Sequence, residues 1–327
     1  MEVSIIIPIY NGARYLKRFT ECLLDQKHRD FEAILVDDGS KDHSLALCRE
    51  LVGHDKRFVL LSQANAGASE ARNAGLRVAK GRYVCFADVD DLFNERYLED
   101  LLSQADGVDL VIQGRIRLQK DSEHVIHVPG EGSYDLDYDP ERFFSAIDIE
   151  QYGAPYCKLF STSIIRDNQL FFSREILLGE DFDFLIRYLC FCHRVVIDDK
   201  ANYSYRTIPG SLSTKKYPFE KEYSGLKQID HSWRKLLSRF PSPSLQPIYG
   251  RSIAYHVYRS IFGIYRSRFD RKQRIHYLKQ LSREHGRVYR QYRTPETSFL
   301  KWCKRLFCLK LFTLLDMVLH HVNQQKK

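Results

Sequence analysis

The first 113 residues alternate five short apolar runs, at 3–9, 31–37, 57–62, 82–87 and 108–113, with four segments of helical period, at about 13–27, 42–52, 68–79 and 94–104. Successive strands linked through helices by short connections are reached by crossovers, and crossovers give a parallel sheet with helices on both faces. The fold class expected is α/β. Past Gly114 the alternation loosens: Arg115 to Val128 reads as a hairpin, Pro129-Gly130-Glu131-Gly132 as a turn, and antiparallel strands are expected to extend the sheet. Gly179-Glu180-Asp181 opens a helix whose acids sit where the dipole favours negative charge. Strand signals follow at Val195–Asp198 and Tyr203–Arg206, and then a largely helical remainder broken at Pro241-Ser242-Pro243-Ser244.

A length of 327 residues points to about two domains, and the pattern divides them at 1–213 and 214–327, the first with halves at about 1–113 and 114–213. Charge divides the chain in the same region. Residues 201–327 hold 26 Lys+Arg against 7 Asp+Glu, whereas residues 1–200 hold 24 against 35. An acidic body with a basic tail implies that the tail meets a polyanion, and with no nucleic-acid module in the sequence an anionic membrane surface fits better than nucleic acid. The eight cysteines form no Cys-x-x-Cys pair, which reads as reduced, buried thiols rather than a zinc site. The chain opens directly on a strand pattern without a basic leader, so a cytoplasmic protein at the inner face of the membrane is expected.

Three strand ends carry chemistry. The fourth apolar run empties into Asp88-Val89-Asp90-Asp91, a pattern suited to a hard divalent cation that draws its other ligands from phosphate and water. The first run ends in Tyr10, whose ring can stack on a base, and the second in Asp37-Asp38-Gly39-Ser40, where a carboxylate can accept a ring N–H. Ligands of open parallel sheets bind at carboxyl strand ends, which would bring these residues to one rim. Each also reads singly as a turn or helix cap. A Gly-x-Gly-x-x-Gly fingerprint and a Walker loop are both missing, so a nucleotide would be held through a metal and side chains.

These motifs, in order, are Pro8-Ile9-Tyr10-Asn11-Gly12, Asp37-Asp38-Gly39-Ser40, Asn65-Ala66-Gly67-Ala68-Ser69-Glu70-Ala71-Arg72-Asn73-Ala74-Gly75, Gly81-Arg82-Tyr83, Asp88-Val89-Asp90-Asp91 and Gly179-Glu180-Asp181. Together they resemble the inverting glycosyltransferases of family 2, over residues 3 to about 213. The resemblance implies a GT-A fold, with a Rossmann-like sheet, as the catalytic domain at 1–213. It implies Tyr10 against the nucleotide base, Asp38 reading it, Arg72 near nucleotide and sugar, Asp90 on a Mn²⁺ or Mg²⁺ ion, and Asp88 on ribose or metal. Asp181 would be the catalytic base, with Glu180 the other candidate. Arg206-Thr207-Ile208-Pro209-Gly210-Ser211-Leu212-Ser213 resembles the segment that closes over the donor, with Arg206 or Ser211 on the diphosphate. Some relatives place a histidine metal ligand there, and this chain has Thr207 and Ile208 instead.

The activity implied is metal-dependent transfer of one sugar from a nucleotide-sugar, a UDP-sugar first among them, to a hydroxyl of a polysaccharide or polyprenyl-linked oligosaccharide. The alternative from another class is a catalytically silent sugar-binding or scaffold subunit of an assembly complex. The basic helical region at 214–327 contains one further signal. Leu306–Leu319, behind Lys301, Trp302, Lys304 and Arg305, is too short and too charged to cross a bilayer but forms an amphipathic helix suited to an interface. A core helix packed back on the protein would give the same pattern.

Overall fold

The computed structural model describes residues 1–119, 122–176, 178–206, 216–292 and 297–324. They form two compact units. One spans Met1–Arg174 and resumes at Glu180, and the other joins residues 175–179 to the C-terminal helices.

In chain order the first unit runs β1 (Val3–Ile9), α1 (Ala13–Leu24), β2 (Phe31–Asp37), α2 (Ser44–Val52), β3 (Phe58–Ser62), α3 (Ala68–Val78), β4 (Tyr83–Phe86), β5 (Leu92–Phe93), α4 (Tyr97–Leu102), β6 (Leu110–Gln113), β7 (Arg115–Gln119), β8 (Ser122–Ile126), β9 (Gly132–Asp135), α5 (Pro140–Ala146), β10 (Lys158–Ser161), α6 (Thr162–Asp167), α7 (Glu180–Leu189), β11 (Arg194–Asp198) and β12 (Tyr203–Arg206). Eight strands form the main sheet in the order β3-β2-β1-β4-β10-β6-β11-β9, and β5-β12-β7-β8 form a smaller one. Strands β1 to β4 are mutually parallel, as the alternation requires. Of the two antiparallel strands, β9 extends the edge beside β11 as expected, and the other does not. β10 is inserted between β4 and β6, antiparallel to both, while β11 returns parallel to β6. The short strand β9 arises where only a turn is expected, because four residues are too few to show a period.

β1 is buried on both faces, which is why Val3-Ser4-Ile5-Ile6-Ile7 reads as a continuous run rather than an alternating one. Its Pro8 would damage a central ladder, yet Ile6 directs its carbonyl to Ala87 N of the β4 side at 3.2 Å. Pro8, two residues on, faces the same side past the last β1–β4 pair, Ile6↔Phe86, so its missing N–H interrupts no ladder bond. The sheet therefore opens at the rim where the motifs lie.

α3 packs closely on this strand through Gly75. A Cβ there would stand 2.4 Å from Ile6 Cγ2. Gly75→Ala gains about 1 kcal/mol of helix propensity but overpacks a core contact at a cost of about 1–3 kcal/mol, so a net loss is expected, read as a lower Tm by a few degrees. An unchanged or higher Tm would mean that the helix shifts away freely.

The second unit runs α8 (Phe219–Arg239), α9 (Leu245–Ile264), α10 (Arg271–Gln291), α11 (Ser298–Cys308) and α12 (Phe312–Gln324). α8 buries Leu226, Ile229, Trp233 and Leu236 at helical spacing, and the break at Pro241–Ser244 separates it from α9. Two buried arginines are paired bidentately, Arg259 with Glu222 at 2.7 and 2.8 Å and Arg274 with Asp316 at 2.6 and 3.0 Å. Breaking either pair from one side would leave a buried charge without its partner. The stretch Leu306–Leu319 is not one helix. It breaks at Leu309-Lys310-Leu311, where Lys310 takes a left-handed φ of 60° and Leu311 N–H bonds Leu306 O at 2.9 Å. Among the described residues no helix is long and apolar enough to cross a membrane.

Candidate functional site

The rim at the carboxyl ends of β1, β2 and β4 is built by short loops that are bonded to one another. Asn11 adopts a left-handed φ of 52°, its N–H donates to Ser40 Oγ at 3.0 Å, and its Oδ1 accepts from Lys41 N–H at 2.7 Å. Gly12 N–H and Ala13 N–H donate to Ser44 Oγ and Asp42 at 2.9 and 3.1 Å. Tyr10 stands on this scaffold as a residue 47% exposed, free to face a planar partner.

Asp38 is differently placed from the residue that the sequence predicts. It is buried, its Oδ1 accepts from Gln63 Nε2 at 2.7 Å and from Ala66 N–H at 2.9 Å, and its Oδ2 accepts from Gly67 N–H at 2.8 Å. Its first task is therefore to fix the loop that leads into α3. A carboxylate oxygen accepts two bonds, so Oδ2 keeps one acceptor position.

Arg72, on α3, is the central side chain of the site. Buried at 5% exposure, it donates through Nη1 to Asp181 at 2.8 Å and through Nη2 to Asp88 at 3.0 Å, with its guanidinium over the Phe172 ring. Its Nε has no acceptor. One cation thus ties the strand-end acids of β4 to the first turn of α7. Burial pushes the Asp181 carboxyl up to about 7, Arg72 opposes the rise, and Glu180 and Asp88 add to it. That poises the group near neutrality although an arginine touches it.

Asp90 is raised above the usual carboxylate range by burial and by Asp88, with Arg14 and Arg206 pulling the other way. It lines a cavity of about 220 Å³ together with Arg14, Arg18 and Arg206. Asp91 is a fixing residue. Tyr203 O–H donates to its Oδ2 at 2.8 Å, Arg206 N–H to its Oδ1 at 3.1 Å, and the Tyr203 oxygen accepts from Asp88 N–H at 3.1 Å. Burial beside Asp88 and Asp90 pushes Asp91 up to about 8.

The structure thus brings Arg72, Asp88 and Asp181 into direct contact and joins them through the Asp88–Asp91 loop to Asp90 and Arg206. Tyr10 and Asp38 lie on the adjoining strand ends of the same rim. Ser211 lies outside the described residues. Sequence reasoning missed Arg14 and Arg18, for which α1 gives only a helical face, and Lys158. The lysine is buried within β10, donates to Ala154 O at 2.6 Å, and is lowered by desolvation to about 7, with Asp181 within electrostatic reach. A charge inside the apolar run Cys157-Lys158-Leu159-Phe160 was the signal for it.

The donor chemistry fits a divalent cation of the oxygen-loving kind. Among the described residues no group of three or more His, Cys, Asp or Glu could cage a metal. One or two carboxylates, with the remaining ligands from a diphosphate and water, is the arrangement that Mg²⁺ and Mn²⁺ accept, and Asp90 with Asp88 could supply the carboxylates. The eight cysteines are all unpaired thiols, several buried, as the missing framework implies.

Among proteins of known sequence, residues 4–168 match the model of glycosyl transferase family 2. Glycosyltransferase GlyA of Streptococcus pneumoniae is 29% identical over 65% of this chain, and the match spans 31% of GlyA. Poly(ribitol-phosphate) beta-N-acetylglucosaminyltransferase TarP of Staphylococcus aureus is 30% identical over 63% of this chain and 60% of its own. The curated relatives are thus each matched over less than two thirds of their length. The structure of S. aureus TarS 1–349 in complex with UDP-GlcNAc superposes with a TM-score of 0.70 at 20% identity, covering 100% of this chain and 93% of that one, a likeness of fold. The matched segment runs from β1 through α6 and contains the strand-end motifs on which the rim is built, and the chain belongs to glycosyl transferase family 2.

Proposed function

We propose that this protein is an inverting, metal-dependent glycosyltransferase that moves one sugar from a UDP-sugar to a hydroxyl of a polysaccharide or polyprenyl-linked acceptor. The observation that carries the reading is Arg72, which joins Asp88 of the strand-end acid motif to Asp181 at the start of α7. An in-line displacement needs groups on both faces of one anomeric carbon, and this arginine holds a candidate for each within one side-chain span.

In the reaction Asp181 accepts the proton of the acceptor hydroxyl as its oxygen bonds to the anomeric carbon. The bond from that carbon to the diphosphate oxygen breaks on the opposite face, and the electron pair leaves with the nucleoside diphosphate. Asp90 and Asp88 would hold a Mn²⁺ or Mg²⁺ ion, which when bound would supply neutralisation of charge on that leaving group. Arg14, Arg18 and Arg206, which line one cavity with Asp90, are assigned to the leaving group's side. Tyr10 stacks on the base, and Asp38 holds the loop beside it with one Oδ2 acceptor position turned to a ring N–H.

On this reading catalysis is assigned to residues 1–213 and membrane contact to 214–327. The second assignment is supported by the exposed Trp302 of α11, Leu314 and Met317 of α12, and Leu309 and Leu311 of the turn between them. It implies a peripheral protein on the anionic inner face of the cell membrane.

The deciding experiment is calorimetric titration with UDP, with and without Mn²⁺. Binding that strengthens with the metal is expected. Absence of binding by UDP, GDP and dTDP alike, with metal present, would overturn the enzyme reading.

A further inference from the structure

Within the helical unit, α10, the end of α11 and the turn that follows it line a half-open cavity of about 200 Å³, formed by Ser282, Gly286, Arg287, Arg290, Cys308 and Lys310. Three of the six residues are cations and none is an acid. A Cβ at Gly286 would come within 3.2 Å of Ser282 Oγ, so the glycine keeps the space beside that hydroxyl open. Arg290 is oriented by donating to Cys308 O, at the end of α11, at 3.0 Å. Lys310 is presented by the left-handed turn that splits the apolar stretch.

The flanks of the cavity are as informative as its lining. Leu309 and Leu311, on either side of Lys310, are 69% and 47% exposed, and Leu314 and Met317 continue the apolar surface on α12. The single acid of α11 and α12, Asp316, is buried with both oxygens on Arg274. A soluble anion would use the cations and leave the leucines in water. A phospholipid uses both, because its phosphate lies at the headgroup level directly above the acyl boundary. With a water's share of liquid volume at about 30 Å³, the cavity has room for a phosphate with its oxygens.

We propose that this cavity is an anionic-lipid headgroup site: Arg287, Arg290 and Lys310 hold the phosphate while Leu309 and Leu311 enter the acyl boundary beside it. The inference rests on the reading that α11 and α12 meet a membrane and adds to it a defined binding site. It differs from a diffuse attraction of a basic surface to a charged bilayer, since it depends on particular cations and not on their number.

The test is co-sedimentation of the full chain with vesicles of phosphatidylcholine alone and of phosphatidylcholine with one part in three phosphatidylglycerol. The cavity variant is Arg287→Gln with Lys310→Asn, asparagine being tolerant of the left-handed turn; Arg290 is left in place because it also holds Cys308 O. The charge-matched control is Arg271→Gln with Lys272→Gln, about 20 Å away along α10 and beyond the Debye length at physiological salt. The cavity variant should lose about tenfold or more in affinity for the anionic vesicles, given about 1 kcal/mol per cation at the surface, and the control less than about twofold. Equal losses in the two variants, or none in the cavity variant, would overturn the site while leaving membrane attachment standing. Failure of the unaltered protein to sediment with either vesicle would instead remove the membrane reading. Stabilisation of the unaltered protein by inorganic phosphate without any preference for phosphatidylglycerol vesicles would make this a site for a soluble anion and overturn the lipid assignment.

Discussion

Asp181→Asn is expected to leave UDP affinity within about twofold of the unaltered protein and to lower kcat by about 10²–10⁴-fold, the usual worth of a positioned base. The asparagine retains the shape and one acceptor for Arg72 Nη1, so the fold of the rim should survive, and the loss should fall on proton transfer. The pH profile supplies the sign. A base works only when deprotonated, and the Asp181 carboxyl is pushed up to about 7. kcat/KM should therefore fall about tenfold per unit below pH 7 and level off above it, while the residual rate of the variant should be flat across that limb. An unchanged kcat would move the role elsewhere, with Glu180 the next candidate. A variant that keeps the same acidic limb would show that another group titrates.

The second large effect is expected at Asp90. Asp90→Ala should lower turnover by at least about 10²–10³-fold at every Mn²⁺ concentration, since charge on the leaving diphosphate would go uncompensated. A separate readout keeps this distinct from damage to the fold: the metal-dependent gain in UDP affinity should vanish in calorimetry while metal-free UDP binding persists. Asp91→Asn serves as the comparison. Asp91 fixes Tyr203 and the Arg206 backbone, so its loss should lower stability and leave the metal effect on UDP binding intact. Near-normal rates for Asp90→Ala with added Mn²⁺ would refute the assignment.

The parallel half of the sheet was legible because β1, β2 and β4 are buried on both faces and all four strands are separated by helices, which makes the period switch unmistakable along residues 3 to 87. The insertion of β10 was not legible, since nothing local in Lys158-Leu159-Phe160-Ser161 says which gap the strand will enter. The helix break at Lys310 was hidden for a related reason: a lysine carries no turn signature, and the apolar pattern continues across it. At the site, residue types at a strand end were enough to single out Asp88 to Asp91, and the family resemblance pointed to Asp181, but neither could show that most of the acceptor positions of Asp38 are taken by its own loop. Arg14 and Arg18 were silent because a charge on an amphipathic helix looks the same whether it faces water or an acidic rim.

The place of β10 between β4 and β6 also sets the order in which the chain can be assembled as it emerges from the ribosome. β1 to β4 are complete once residue 86 has been made, yet the edge of β4 has no neighbour until residue 158, and β6 has none on either side until then. An open strand edge is a template for unwanted pairing, and long-range pairing is slow. Nascent chains halted between these two points should therefore be the species most dependent on chaperones, and the vulnerable stage of biogenesis lies in the middle of the sheet rather than at either terminus.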